Sequence, residues 1–151
     1  MGHSPGCHLV TLCALDPKYL SVAKLKHTDI AGVVAWSGGA YDLVAKVRAG
    51  GAYADYIEKT FGGSEEGWRK ASQLTYTKNA MEGPAFLFAS VELGSASHRA
   101  AEQIQKAKGK VESRLLENRD HFTANHLLGA ADDSPGKILL EFVGKAGRRI
   151  P

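Results

Sequence analysis

Two short apolar runs set the architecture expected of this chain. Ile30 to Trp36 (IAGVVAW) ends at Ser37-Gly38-Gly39, and Ala85 to Val91 (AFLFASV) follows Gly83-Pro84. Both are continuously apolar rather than alternating, the pattern of strands covered on both faces in a parallel sheet. Val111 to Leu116 is a third strand candidate with a less clean pattern. Elsewhere the apolar positions follow the helical period. Gly6 to Leu15 reads as a helix stopped by Asp16-Pro17. Ser97 to Lys108 sets Ala100, Ala101, Ile104 and Ala107 on one face, with Gly109 as its C-terminal stop. Ser134-Pro135 offers an N-cap with proline at the first helical position, and Ile138, Leu139, Phe142, Val143 and Ala146 then form one stripe. Strands alternating with helices at this rhythm predict an α/β fold built on three parallel strands. The segment from Gly50 to Asn79 breaks the rhythm with glycine pairs, Trp68 and several tyrosines, and is expected to form an insertion over the end of the sheet.

Composition narrows the function classes. A chain of 151 residues has the size of one domain, and 44% hydrophobic with 23% charged residues is an ordinary globular balance. The formal net charge is 19 − 16 = +3, and Lys145, Arg148 and Arg149 alone match that excess. The charge is therefore no signature of a nucleic-acid-binding face. Cys7 and Cys13 are too few for a disulfide framework and lack a paired C-x-x-C spacing, so buried free thiols and a reducing, cytoplasmic setting are expected. No apolar run reaches the length of a membrane span, and Met1-Gly2-His3-Ser4 has no signal-peptide pattern. His27 and His98 stand alone and His121 and His126 are five apart, which is no metal-ligand spacing. Gly38-Gly39 and Gly62-Gly63 lack the spacing of a phosphate loop. Neither metal nor cofactor is expected.

The chemistry gathers at the two ends. Gly2-His3-Ser4-Pro5-Gly6 fits G-x-S-x-G, the turn that lifts a nucleophilic serine between a strand and a helix whose N-terminus favours developing negative charge. After the third strand, Asn118-Arg119-Asp120-His121-Phe122 presents a histidine in a loop. Serine first and histidine last is the chain order of the α/β-hydrolases.

Gly2-His3-Ser4 with Gly6 and His8-Leu9 resembles the GHSAGxHL elbow of the esterase and lipase branch of that family, which includes carboxylesterases, feruloyl and acetyl-xylan esterases and kynurenine formamidases. Trp36-Ser37-Gly38 with Tyr41-Asp42-Leu43 resembles its SGxxDL turn, and Asp120-His121-Phe122 its DHF segment. The similarity runs from Gly2 to about Val143 and matches the C-terminal half of the family fold. It implies one truncated α/β-hydrolase domain over 1–151, with 50–79 as a cap. It further implies serine-dependent hydrolysis of a small carboxylic ester or amide, with Ser4 as nucleophile and His121 as general base.

The chain also departs from the family pattern. Pro5 follows the nucleophile, where the family donates a backbone N–H to the oxyanion, and proline has none. Proline also presses the preceding residue toward extended backbone, against the positive φ of an elbow serine. Gly94 stands where the family places its aspartate; Glu92, or alternatively Asp42, is left as the acid to orient His121. Without the preceding strands, Ile30 to Trp36 would expose an apolar edge suited to pairing with a second copy. The alternative function is an inactive hydrolase fragment or pseudoenzyme that acts through association. Ser4 then reads as an ordinary helix N-cap. His3 and His8 are expected to pack or hydrogen-bond. Tyr53, Tyr56, Phe61, Trp68 and Tyr76 form either a satellite core or the wall of an acyl or aryl pocket.

Overall fold

The computed structural model describes residues 1–147, and Arg148 and Arg149 lie outside them. The fold is α/β, with an all-parallel sheet of strands β1 (Gly2–His3), β2 (Gly32–Trp36), β3 (Ala85–Ser90) and β4 (Val111–Leu115), in that spatial order. The sheet has four strands where the apolar runs predict three. The added one is β1, whose two residues are too short to carry a readable period. It pairs Gly2 with Ala35 and His3 with Trp36, which covers only the end of the β2 edge. Among the described residues, Gly32 to Val34 have no ladder partner on that side.

Both faces of the central strands are covered, which is why their sequences run apolar without alternation. Val33, Ala35, Phe86 and Phe88 pack against α1 (Pro5–Leu15) and α6 (Ala96–Lys106) through Cys7, Leu15 and Ile104. Their neighbours Val34, Trp36, Leu87 and Ala89 pack against Phe142 and Ala146 of α8 (Ser134–Gly147). Short helices α2 (Pro17–Val22) and α3 (Leu43–Arg48) follow α1 and β2. The segment after α3 folds into α4 (Ala52–Phe61), α5 (Glu65–Ala71) and a 3₁₀ stretch, Gln73–Met81. After β4, the single turn α7 (Thr123–His126) precedes α8.

Local chemistry refines two helix boundaries. The left-handed residue ending α6 is Lys108 (φ 61°), not Gly109; Lys108 N–H donates to Gln105 O and Gly109 N–H to Ile104 O, closing a Schellman motif. At α8 the capping side chain is Asp133 rather than Ser134: its Oδ1 accepts from Gly136 N–H at 2.9 Å and its Oδ2 from Gly129 N–H at 2.6 Å. Val143 lies off the buried stripe, 52% exposed.

The cysteines divide where both were expected to be buried. Cys7 is buried and Cys13 exposed, because six positions place them roughly 120° apart around one helix. Burial pushes the Cys7 thiol up to about 11, and it donates to Gly2 O and Trp36 O. At about pH 8 iodoacetamide should therefore add one group per native chain, on Cys13, and two after denaturation. Two additions to the native protein, seen by intact mass, would show that the Cys7 region opens.

Candidate active site

Ser4 sits between the last residue of β1 and the first of α1, with φ 54° and ψ −119°. This is not the extended conformation that a following proline was expected to impose. Proline excludes the helical ψ of its predecessor, and −119° lies outside that range, so Pro5 and the positive φ coexist. The surroundings over-determine the turn. Ser4 N–H donates to Trp36 O, and Cys7 N–H donates to Ser4 O at 3.1 Å. A Cβ on Gly2 would collide with the Gly6 carbonyl. One on Gly38 would collide with the Cys7 sulfur and lie 2.6 Å from Ser4 O. The two glycines thus let strand, helix and neighbouring loop approach within backbone contact.

Ser4 does not act as a helix cap. Its hydroxyl makes no capping bond; Ser4 Oγ instead lies 2.9 Å from His121 Nε2. The structure thus joins the serine and histidine that the sequence singles out, 117 residues apart. Both are half-buried and reachable from solvent.

Three residues hold the His121 loop. Asp120 Oδ1 accepts from the backbone N–H groups of Phe122 and Thr123 and from Thr123 Oγ1. The bond from the Thr123 N–H is the chief reason its carboxyl stays below the usual range. His3 Nε2 lies 2.9 Å from His121 O, and the two rings stack at 4.8 Å between centroids. The Trp36 indole N–H donates to Ala124 O at 2.7 Å, in the turn that follows the histidine. His3 is thus a backbone anchor of His121. His8 is within hydrogen-bonding distance of Ala71 O and packs on Phe61, tying α1 to α4 and the end of α5; burial lowers its pKa.

Neither of the expected acids hydrogen-bonds to His121. Asp42 caps α3, accepting from Ala45 N–H at 3.0 Å. Glu92 is exposed on the wall of the cleft that holds Ser4, and its backbone bonds to Ser90 Oγ. Gly94 is an exposed turn residue whose carbonyl accepts from Arg99. The second ring nitrogen, His121 Nδ1, instead lies 3.1 Å from Ser37 Oγ. Ser37 stands inside the Trp36-Ser37-Gly38 motif, but sequence gives no sign that it faces the histidine.

Ser4 and His121 open into a cleft of about 1020 Å³. Tyr53, Tyr56 and Phe61 of α4 line it, with Leu9 and Leu93. Trp68 and Tyr76 do not: they bond to Gly62 O and Lys70 O within their own segment. Among the described residues no three His, Cys, Asp or Glu side chains are grouped to hold a metal ion, and no helix is long and apolar enough to cross a membrane. A scan against protein-family models finds no match, and a search of curated proteins finds none of significant similarity, so site geometry carries the functional reading.

Proposed function

We propose that this chain is a serine hydrolase of small carboxylic esters or amides, with a partial α/β-hydrolase architecture. The observation that carries the reading is Ser4 Oγ at 2.9 Å from His121 Nε2, on a serine held at φ 54°. Strained, non-glycine left-handed backbone persists where surroundings enforce it, and it clusters at functional sites. A serine serving only as an N-cap takes extended backbone and bonds its own helix; Ser4 does neither.

In the proposed reaction Ser4 Oγ attacks the substrate carbonyl carbon while its proton passes to His121 Nε2. His121 returns that proton to the departing alcohol or amine, leaving an acyl-serine. Water, deprotonated by the same nitrogen, then releases the acid and restores the Ser4 hydroxyl. The α4 tyrosines and Phe61 offer apolar surface for an acyl or aryl group.

One observation favours a second reading, a pseudoenzyme that associates with a partner: position 5, which should supply an oxyanion donor, is proline. Intact mass after exposure to a fluorophosphonate separates the two. A single adduct on the wild type that disappears in Ser4→Ala is the expected result. No adduct on a folded chain would leave the pseudoenzyme.

A further inference from the structure

We infer that Ser37 is the positioning residue of His121: a neutral hydroxyl stands where a carboxylate orients the histidine of a conventional triad. The kinetic part of this inference rests on the hydrolase reading; the structural part does not. His121 is bonded at both ring nitrogens, Nε2 at 2.9 Å from Ser4 Oγ and Nδ1 at 3.1 Å from Ser37 Oγ. Ser37 is held for the task. It is 4% exposed and has φ 51°, a left-handed conformation uncommon for a residue with a Cβ. Its N–H donates to Ala89 O at 2.8 Å, the next carbonyl, Gly38 O, accepts from Ser97 Oγ at 2.6 Å, and Gly38 is seated against Cys7.

The choice of partner has a chemical consequence. A carboxylate only accepts, so it fixes the proton on Nδ1 and leaves Nε2 free as a base. A hydroxyl donates or accepts. Two proton arrangements therefore fit the Ser4–His121–Ser37 chain. In one, Nδ1–H donates to Ser37 and Nε2 accepts from Ser4, which makes His121 a base. In the other, Ser37 O–H donates to Nδ1 and Nε2–H donates to Ser4, and the ring cannot take the serine proton. Among the described residues, Ser37 Oγ has no second hydrogen bond that would fix its direction.

The test compares wild type with Ser37→Ala and Ser37→Asp. Long-range proton–nitrogen correlation spectra of histidine-labelled protein report which ring nitrogen carries the proton, with His121 assigned by its loss in His121→Asn. With Ser37 accepting from Nδ1–H, the arrangement that makes His121 a base, the fraction protonated at Nδ1 should rise in the order Ser37→Ala, wild type, Ser37→Asp. Fluorophosphonate labelling of Ser4, on its high-pH plateau, should follow the same order. It should slow about tenfold in Ser37→Ala, the worth of one ordinary hydrogen bond, and quicken at least about tenfold in Ser37→Asp, since a wrong tautomer costs up to about 10⁴. If Ser37→Asp does not fold, wild type against Ser37→Ala still decides. An unchanged tautomer in Ser37→Ala overturns the assignment. So does a loss in Glu92→Gln that equals or exceeds that of Ser37→Ala. Absent labelling in every variant would sink the hydrolase reading, leaving the tautomer order to judge Ser37 by itself.

Discussion

Replacing Pro5 by alanine should raise the rate at which Ser4 is acylated by on the order of 10²–10³-fold, the worth of one oxyanion donor. The residue after an elbow nucleophile donates its backbone N–H to the oxygen on which negative charge develops. Pro5 offers no such donor at the first position of α1, while Ser4 Oγ remains 2.9 Å from His121 Nε2. The helix dipole still favours an anion there, but its contribution is smaller, about 0.3–1 kcal/mol against about 2.7–4 kcal/mol for a directed hydrogen bond. Alanine fits the first turn of a helix, and the cost of freeing the unfolded chain is up to about 1 kcal/mol, so the variant should fold. The burst of p-nitrophenol from p-nitrophenyl acetate measures the rate, with Ser4→Ala/Pro5→Ala as the blank. A folded Pro5→Ala whose burst matches wild type would mean that the oxyanion is not stabilised from residue 5. Any acylation of Ser4 would then draw on donors elsewhere.

What could be read before folding and what could not divide along a physical line. β2 and β3 are legible because burial on both faces writes itself as an unbroken apolar run from Val33 to Trp36 and from Ala85 to Ala89. β1 is not, since two residues held by the end of β2 have no pattern of their own. Ser4 and His121 stand out because local turns carry them, a glycine-flanked elbow and an Asp-capped loop. Ser37 does not, because its role depends on a left-handed φ and on a partner 84 residues away. Asp42 illustrates the converse. A carboxylate after a strand is easy to nominate as an orienting acid, but the nearest unpaired N–H groups belong to its own helix, and it caps α3 instead. The same competition decides the start of α8, where Asp133 takes the bond expected of Ser134. At α4, tyrosines that composition leaves ambiguous line the cleft because the helix turns them toward it, while Trp68 stays within its own segment.

Trp36 should be the most costly single side chain to remove, and its loss should reach the site before it unfolds the protein. It is fully buried and packs with Leu87, Leu116, Ala124 and Phe142. Trp36→Ala is expected to cost about 3–5 kcal/mol, a large share of the roughly 5–15 kcal/mol that holds a domain together. At about 2–4 °C per kcal/mol, the melting temperature should fall by about 6–20 °C. Trp36→Phe is the sharper probe. It keeps most of the apolar volume but strips the donor from Ala124 O, a buried acceptor, at a cost of about 1–3 kcal/mol. Ala124 N–H is itself bonded to Asp120 O, so the freed carbonyl belongs to the turn that aims His121 at Ser4. The backbone oxygen of Trp36, which receives the Ser4 N–H, is untouched by the substitution. Labelling of Ser4 by a fluorophosphonate, well below the melting transition, should therefore slow in Trp36→Phe. Phe142→Leu disturbs the same core without that bond, and it should lower the melting temperature while sparing the labelling rate. Equal slowing in the two variants at matched stability would mean that Trp36 serves the core alone, and that the His3 and Asp120 contacts suffice to hold the histidine.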